Sequence, residues 1–321
     1  MRILVLGGTS FVGRAIVTAA LAYDADVTVF NRGRTGTDLF PQVARLVGDR
    51  DAGDYAALAR GAGWDAVVDV NGYHPRHVGQ AMDALGDRAG RYVFVSSHAV
   101  YVRDGLAPGN DEDAPRRPAN RTGTEELTDE TYGPLKVACE DDVRARYGDR
   151  ATIVRPGKVC GPHDNQDTFT YWVRRAARGG RVALPADPAQ PVQVVDVRDL
   201  AELVVRLVAD DRAGAYNAVG PAEPTTLGGL IATCAAAAGT TVELVEVPAE
   251  AATPMFPLVR GYWPGQQRSA ARARAAGMPA TPLARTAADV LAWDRERGEP
   301  PLPRGYTPEQ EADVLARYAR P

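Results

Sequence analysis

A tyrosine and a lysine stand four residues apart in TYGPLK, at Tyr132 and Lys136. On a helix this spacing puts both side chains on one face, about one turn apart. Pro134 fits only the first turn of such a helix, so the helix is predicted to begin near Tyr132. A phenol with a pKa of about 10 is a poor acid or base at neutral pH, and a neighbouring ammonium lowers that pKa. The pair is a candidate for proton transfer, although the spacing alone is common by chance.

A second chemical signal is the stretch LVLGGTSFVGRAI (4–16), in which a short apolar strand leads through glycines into a helix. The unpartnered amides and the dipole at a helix N-terminus favour a phosphate group. Gly7 is expected to allow the sharp turn, and Gly13 to let the helix pack against the strand. Ser10 stands where the dinucleotide-binding pattern has its middle glycine, and its hydroxyl can donate to a phosphate oxygen. The stretch predicts a pyrophosphate site, with a plain strand–helix turn as the alternative.

The segment Asn31–Arg34 follows the second predicted strand, where a dinucleotide fold meets the adenosine ribose. A carboxylate at this place would accept from the 2′-hydroxyl and repel a 2′-phosphate. Here the acid is missing, and Arg32 and Arg34 bring two guanidinium groups that suit phosphate. The pattern favours NADP(H) and leaves NAD(H) as the alternative, because exposed loop arginines would give the same pattern.

These groups need a scaffold that brings strand ends together, and the first half of the chain alternates short apolar runs with helical patterns. The predicted strands are 2–8, 26–30, 44–49, 65–70, 91–97 and 151–156, and the predicted helices are 12–22, 54–61, 75–86 and 132–146. The strands are rich in Val and Ile and apolar on both alternations, as in a parallel sheet covered on both faces. The fold class is therefore α/β, a Rossmann-type doubly wound sheet.

After about residue 165 the pattern is less regular, with strands at 191–197 and 214–220 and longer proline-rich stretches. We predict a dinucleotide-binding domain over 1–165, completed by 191–220, and a smaller substrate-binding lobe over 166–190 and 221–321. A group of aromatic residues in this lobe could line a pocket or pack its core: Phe169, Tyr171, Trp172, Phe256, Tyr262 and Trp263.

The composition of the 321-residue chain is that of an ordinary globular protein, with 45% hydrophobic residues and a net charge of −4. This charge gives no general attraction to nucleic acid or anionic membranes, so neither partner is expected. The three cysteines are widely spaced and predict free thiols in a cytoplasmic protein. His74 and His77 have a metal-binding spacing, but nothing near them completes a ligand set, and no metal is predicted.

Five motifs follow one another in the order GGTSFVG, VSSHAVY, YGPLK, RPGKVCGP and QVVDVRDLA. Together they resemble the extended short-chain dehydrogenase/reductase family, from residue 2 to about 220. The resemblance implies a nicotinamide-dependent enzyme in which Tyr132 is the general acid/base and Lys136 activates it and holds the nicotinamide ribose. It also implies that Ser97 hydrogen-bonds the substrate oxygen.

The resemblance places Asp49 at the adenine and Val70 and Asn71 along the cofactor. The complete set of predicted cofactor-binding residues is Gly7, Thr9, Ser10, Phe11, Val12, Gly13, Asn31, Arg32, Arg34, Asp49, Val70, Asn71, Lys136 and Pro156. The predicted substrate contacts are His98 and His163, which follow strands at the catalytic edge, and Lys158, which could bind an anionic substrate.

Two departures from the family pattern narrow the chemistry. The dehydratases similar to this chain carry Asp-Glu after their serine or threonine, whereas His98 and Ala99 follow Ser97 here. Dehydration is therefore disfavoured. Lys158 replaces the asparagine with which many nucleotide-sugar enzymes meet the substrate diphosphate, so an ordinary sugar nucleotide is in doubt, although a lysine suits another anionic substrate.

The sequence thus favours an NADPH-dependent reductase of a secondary alcohol or ketone in a sugar-like or nucleoside-like small molecule. An NAD-retaining epimerase of a sugar or nucleotide sugar shares every named residue and is the alternative. A non-catalytic nucleotide- or RNA-binding protein is the alternative of another class, since a weaker resemblance reaches chloroplast stem-loop RNA-binding proteins. The family resemblance further implies a homodimer through the helix that carries Tyr132.

Overall fold

The computed structural model describes residues 1–60, 63–260 and 267–318. Its strands, in chain order, are β1 (Arg2–Leu6), β2 (Asp26–Asn31), β3 (Ala44–Val47), β4 (Trp64–Asp69), β5 (Ala89–Val95), β6 (Ala151–Pro156), β7 (Lys158–Cys160), β8 (Gly180–Leu184), β9 (Pro191–Val192), β10 (Val194–Asp196), β11 (Gly214–Ala218), β12 (Thr225–Thr226) and β13 (Val242–Glu246). Its helices are α1 (Phe11–Ala22), α2 (Pro75–Leu85), α3 (Tyr132–Tyr147), α4 (Thr168–Ala177), α5 (Val197–Ala209), α6 (Leu227–Ala237), α7 (Ala271–Ala275), α8 (Leu283–Glu296) and α9 (Pro308–Tyr318).

The chain divides into two compact units. The first, the sheet unit, comprises Met1–Gly157, Arg198–Val219 and Arg268–Pro279. The second unit comprises Lys158–Val197, Gly220–Gln267 and Ala280–Pro321. The division gives residues 158–165 and 191–197 to the second unit and Arg268–Pro279 to the sheet unit, which differs from the boundaries expected from sequence. The assignment of the second unit to substrate binding stays a prediction.

The sheet unit is built on seven strands in the order β11-β6-β5-β4-β1-β2-β3. Every neighbouring pair is parallel. The order reverses between β1 and β4, because the chain runs outward from β1 to β3 and then returns to build the other half from β4. The loops after β1 and β4 therefore diverge, which opens a crevice at the carboxyl edge of the sheet. The predicted α/β, Rossmann-type fold is confirmed.

The local sequence explains where the helices of this unit begin and end. Pro75 occupies the first turn of α2, where its missing N–H costs nothing. Pro134 likewise lies in the first turn of α3, and that helix ends at Gly148 with a φ of 53°. On one face of the sheet the apolar strand residues pack with α2 and α3 around Tyr92 and Phe94, both 0% exposed. This packing holds the strand ends in fixed positions.

Two predicted elements differ from the structure. The helix expected over 54–61 is only a short 3-10 helix, Ala56–Ala59, because most of the segment lacks an apolar face to bury and only Tyr55 and Leu58 reach the core. The strand expected over 191–197 does not join the central sheet. It splits into β9, which pairs antiparallel with β12, and β10, which pairs parallel with β7.

The second unit has its own core, in which α4, α6 and α8 pack with β8 and β13, a parallel pair. The aromatic residues Phe169, Tyr171, Trp172 and Phe256 are all buried in this core. The indole of Trp172 donates to the carbonyl of Pro257 over 2.9 Å. These four side chains are therefore packing residues, and Tyr262 and Trp263 lie outside the described residues.

Within the described ranges, no helix has the length and apolar character needed to cross a membrane. The three cysteines are free and buried. In the same ranges no set of three or more His, Cys, Asp or Glu side chains is arranged to hold a metal ion.

Candidate active site

The loop between β1 and α1 has the backbone that a phosphate cradle requires. Gly7 and Gly8 have φ angles of 120° and 95°, which a residue with a Cβ rarely adopts. A Cβ on Gly7 would lie 2.6 Å from the Val70 side chain. A Cβ on Gly13 would lie 2.7 Å from the Gly8 amide nitrogen, so α1 can approach the loop closely only because residue 13 is glycine. Gly8 is a required residue that the sequence argument did not select.

Within the described part of the chain, no side-chain hydrogen bond caps the N-terminus of α1. Ser10 is the residue that precedes the helix, and its hydroxyl makes no capping hydrogen bond. The first turn, which begins with Phe11 and Val12, carries no acidic residue. Thr9, half-buried, precedes this turn. Amides and a hydroxyl therefore remain to receive an anion where the helix dipole is positive.

Asn31 ties the end of β2 to this loop. Its side-chain amide donates to the carbonyl of Gly7 over 3.0 Å, and its side-chain oxygen accepts from the amide of Gly33 over 2.9 Å. Both ends of the side chain thus have partners in the loop. Asn31 acts in the structure as a brace between two strand ends, a role that residue type alone did not predict.

The two arginines after β2 are exposed and each faces a carboxylate. Arg32 lies 3.8 Å from Asp51, and Arg34 lies 3.9 Å from Asp49. Such long exposed pairs are weak. Asp49, predicted to meet the adenine, therefore stands next to the cation that would face a 2′-phosphate. The pair brings one positive and one negative group to the adenosine end of the crevice.

The floor of the crevice rests on a buried ion pair. Asp69, at the end of β4 and 0% exposed, accepts from the Arg50 guanidinium over 2.9 Å and from the Tyr92 hydroxyl over 2.8 Å. Its other oxygen accepts from the amide of Asn71 over 3.1 Å. This arrangement holds Val70 and Asn71 in place. The signal available in the sequence was an acidic residue next to the end of the apolar run DAVVDV.

Ser97 and Tyr132 meet at the carboxyl edge of the sheet. Ser97 follows β5, is buried, and accepts from the amide of Ala99 over 3.1 Å. It precedes a short 3-10 helix, His98–Val100, so His98 is its next neighbour in the chain. Tyr132 is the first residue of α3, as predicted, and the Ser97 side chain lies near enough to its phenol to lower the pKa of that phenol. Two residues from different elements thus come together at this edge.

Lys136 is buried and held by the backbone. Its ammonium donates to the carbonyl of Gly72 over 2.8 Å and to the carbonyl of Val95 over 2.9 Å. Burial lowers the pKa of Lys136. Burial raises the pKa of Tyr132, the neighbouring Ser97 side chain opposes that rise, and Lys136 does not contribute. The expectation that the ammonium lowers the phenol pKa is therefore wrong for this arrangement, because the ammonium is directed to the two strand-end carbonyls.

Tyr73 is a further aromatic residue at this site. Its ring centroid lies 6.5 Å from that of Tyr132 and 5.1 Å from the Lys136 ammonium. The side chain is 38% exposed, so it forms part of the accessible wall beside the two catalytic candidates. Tyr73 is not among the site residues predicted from the sequence.

Behind the catalytic candidates, Arg155 joins two elements. Its guanidinium donates to both carboxylate oxygens of Glu140, over 2.9 Å and 2.7 Å, and to the Tyr101 hydroxyl over 2.8 Å. Glu140 lies eight residues beyond Tyr132 on the same face of α3, and Tyr101 lies four residues beyond Ser97. Arg155 thereby sets the distance between the Tyr132 helix and the Ser97 turn. Pro156, a predicted cofactor contact, follows it at the end of β6.

Two predicted substrate contacts lie in the second unit. Lys158 donates to the side-chain oxygen of Gln166 over 2.6 Å, and burial lowers its pKa while the nearby Asp164 opposes the change. His163 has a φ of 70° and packs its ring edge-to-face at 5.5 Å from Trp293. Their roles toward a substrate stay predictions.

The sequence profile of the NAD dependent epimerase/dehydratase family matches residues 3–219. A relative from Arabidopsis thaliana, the chloroplast stem-loop binding protein of 41 kDa b, is 26% identical over 254 residues. That alignment covers 74% of this chain but only 63% of the length of the relative.

Two solved structures are similar over most of the chain. The Bordetella bronchiseptica enzyme WbmH, in complex with NAD+, has a TM-score of 0.70 at 21% identity, over 92% of this chain and 99% of that one. The UDP-glucuronic acid 4-epimerase from Bacillus cereus, in complex with NAD, has a TM-score of 0.69 at 15% identity, with the same coverage of 92% and 99%. At these identities the likeness shows the fold.

Proposed function

The chain belongs to the NAD dependent epimerase/dehydratase family, and we propose that it transfers a hydride between a nicotinamide cofactor and a secondary alcohol or ketone of a sugar-like or nucleoside-like molecule. Membership makes it an enzyme of the extended short-chain dehydrogenase/reductase class, as the sequence motifs predicted. The proposal is carried by one observation, the placement of the Ser97 side chain beside the Tyr132 phenol at the carboxyl edge of the sheet.

The residues around α1 fit a dinucleotide. The cradle lacks Cβ atoms at Gly7, where a side chain would collide with Val70, and at Gly13, where it would collide with the Gly8 backbone. The open amides of α1 suit a pyrophosphate. When bound, the nicotinamide supplies the group that accepts or donates the hydride. Lys136, held one helical turn from Tyr132, would hold the nicotinamide ribose with an N–H group not used by the two carbonyls.

The chain's own residues supply the proton chemistry. Since burial raises the pKa of Tyr132, its phenol is protonated at neutral pH and can give a proton to the oxygen of a ketone that is being reduced. Ser97 would orient that oxygen through its hydroxyl. In the direction of alcohol oxidation, Tyr132 must release its proton first, and its environment disfavours that step.

Reduction by NADPH is the first outcome that we propose for this site. It is supported by the missing acid at Asn31, by the exposed guanidiniums of Arg32 and Arg34, and by the protonated state of Tyr132. The second outcome is epimerisation with a retained NAD, which the family match supports and which the Bacillus cereus structural neighbour, named as a sugar epimerase, exemplifies.

Nicotinamide fluorescence titrations with NADPH and NADH separate these outcomes. We expect tighter binding of NADPH, and about ten-fold weaker NADPH binding in Arg34→Ala with NADH binding unchanged, since one phosphate–guanidinium pair is removed. Arg146→Ala, an exposed arginine on α3, is the matched control. Tighter binding of NADH by the wild-type protein, or cofactor retained through purification, would instead support the epimerase.

The proton-transfer assignment is tested on a panel of keto sugars and nucleotide sugars, with cofactor oxidation as the readout. Tyr132→Phe should lower kcat by about 100-fold to 10,000-fold, the range of general acid–base catalysis. Tyr147→Phe is the control, because this buried hydroxyl on the same helix has no hydrogen-bond partner within the described ranges. Equal turnover by Tyr132→Phe and wild type would contradict the assignment.

A nucleic-acid-binding function is the proposal of another class, favoured only by the name of the Arabidopsis relative. The net charge of −4 opposes it, because non-specific RNA binding rests on cationic contacts to phosphate. We therefore expect a labelled RNA stem-loop to show no saturable binding at physiological salt. Saturable RNA binding that is retained in Tyr132→Phe would favour the nucleic-acid-binding function.

A homodimer through α3 stays a prediction. Residues 135–140 of this helix are all buried within their own chain, and Arg121, in the segment before the helix, bonds Asp142 over 2.9 Å. Ala145, which is exposed, remains for contact with a second copy. Light scattering during size-exclusion chromatography gives the oligomeric state, and Ala145→Glu should lower the dimer fraction if this face is used.

A further inference from the structure

A cavity lies in the sheet unit, away from the Ser97–Tyr132 pair. It has a volume of about 420 Å³ and lies beside Gly214 and Ala215, at the amino end of the edge strand β11. Its wall on α3 is Arg144, twelve residues beyond Tyr132, which is about 18 Å along the helix axis. The cavity is therefore separate from the carboxyl edge where the hydride chemistry is proposed.

Arginine side chains dominate the lining of this cavity. Arg116, Arg144, Arg155 and Arg272 come from four different segments of the sheet unit and all contribute to its wall. Two acidic residues, Glu112 and Asp113, also line it. Carboxylates near the cavity balance part of this positive charge.

Three of the four guanidiniums have carboxylate partners. Arg155 is held by Glu140, as described above, and Arg116 pairs with Glu140 at 3.2 Å and with Asp141 at 2.9 Å. Arg272 pairs with Asp113 at 3.1 Å and lies 3.6 Å from the buried carboxylate of Glu112. These contacts account for the charge of three arginines.

Arg144 is the fourth arginine, and no carboxylate in the described part of the chain lies within 4.0 Å of its guanidinium. Partial burial lowers its pKa, and the neighbouring Arg155 and Arg116 guanidiniums lower it further, while Glu140 and Asp141 oppose them. Arg144 therefore has both like and opposite charges around it, with no carboxylate of the described residues in direct contact with its guanidinium. A bound anion would accept from several guanidinium N–H groups at once.

We propose that this cavity binds the phosphate group of a small metabolite, with Arg144 as its principal ligand and Arg116 and Arg272 beside it. Guanidinium is the side-chain group best matched to phosphate, because its planar N–H donors pair with two oxygens. The volume exceeds what a phosphate alone needs, which leaves room for the rest of such a molecule. The site is independent of the hydride-transfer proposal, since it shares no residue with the Ser97–Tyr132 pair or with the glycine-rich loop.

Isothermal titration of the full chain with inorganic phosphate tests this site. Wild type should bind phosphate saturably, and Arg144→Gln should weaken that binding about ten-fold or more, the loss expected for a charge-assisted contact. Arg146→Gln is the matched control, because it removes the same charge two residues away on α3, where the arginine faces Asp83 at 3.8 Å. Its phosphate affinity should equal that of wild type.

Phosphate binding at the N-terminus of α1 is distinguished by the same variants, because that binding would be unchanged in Arg144→Gln. Equal phosphate affinity in wild type and Arg144→Gln would overturn the proposal, as would the absence of saturable binding in wild type. An equal loss in Arg144→Gln and Arg146→Gln would also overturn it, since the effect would then reflect net charge alone. Thermal unfolding of both variants confirms that they fold.

Discussion

Replacing Arg155 by methionine removes a guanidinium that is 1% exposed and leaves the carboxylate of Glu140, 0% exposed, without its bidentate partner. Breaking a buried pair in this way costs about 3–5 kcal/mol, because a charge stays buried without compensation. Here Arg116 remains 3.2 Å from Glu140, so we expect the lower end of that range, about 3 kcal/mol. For a unit of this size that corresponds to a fall in Tm of about 6–12 °C.

The double variant Arg155→Met with Glu140→Gln separates the lost pair from the lost packing. It removes the uncompensated charge, so it should unfold at a higher temperature than Arg155→Met alone. Arg103→Ala is the surface control, because its pair with Glu130 is more than half exposed on both sides and such pairs contribute less than about 1 kcal/mol. Circular dichroism during heating measures all three variants.

Two results would refute this reasoning. A fall in Tm of less than about 2 °C for Arg155→Met would mean that Glu140 is readily solvated or repaired by Arg116. A double variant less stable than Arg155→Met would mean that packing, not charge, sets the loss. Either result would also remove the argument that Arg155 fixes the Ser97 turn relative to the Tyr132 helix.

Three further outcomes are expected. Gly133→Ala should destabilise the fold by about 1–3 kcal/mol and lower kcat, because the added Cβ would overlap the carbonyl of Ala99 in the turn after Ser97. Gly79→Ala, on α2 with open space around it, is the control. Equal Tm values for the two variants would contradict the overlap. The three buried cysteines should resist Ellman's reagent at pH 8 until denaturant is added, since burial raises the pKa of Cys139 to about 12; rapid labelling of the native protein would show an accessible thiolate. The free energy of unfolding should fall as pH rises above about 10, because burial raises the pKa of Tyr92, Tyr101 and Tyr132 in the folded chain. These tyrosines therefore lose their protons at a higher pH when folded than when unfolded. A denaturation midpoint that is unchanged between pH 9 and pH 11 would contradict this linkage.

Much of the fold could be predicted because its signals are local. Apolar runs with intervening helical patterns placed β1, β2, β4, β5 and β6 within about three residues of their observed bounds. The roles of the glycines in the first loop could also be predicted, because only glycine suits the positive φ at Gly7 and the close approach of α1 to the loop at Gly13. The start of α3 at Tyr132 followed from the position of Pro134.

The contacts of the candidate site were less predictable, since they join residues far apart in the chain. Asp69 and Arg50 form an ion pair only because β3 and β4 end at the same edge of a sheet whose strand order places β1 and β2 between them. Residue spacing placed Lys136 near Tyr132, but the strand-end carbonyls of Gly72 and Val95 decide where its ammonium points. A residue's type shows what it can bind, and the neighbours that compete for it are set by packing.

The sequence by itself therefore determined the alternation of strands and helices, the glycine-rich turn, and the side chains able to move a proton. Each of these depends on residues within one or two turns of chain, where backbone geometry leaves few choices. Tertiary structure alone decided that Ser97 meets Tyr132, that burial raises the pKa of Tyr132, and that Arg155 joins Glu140 to Tyr101. Those outcomes depend on desolvation and on distances between strand ends, which arise only when the parallel sheet is assembled.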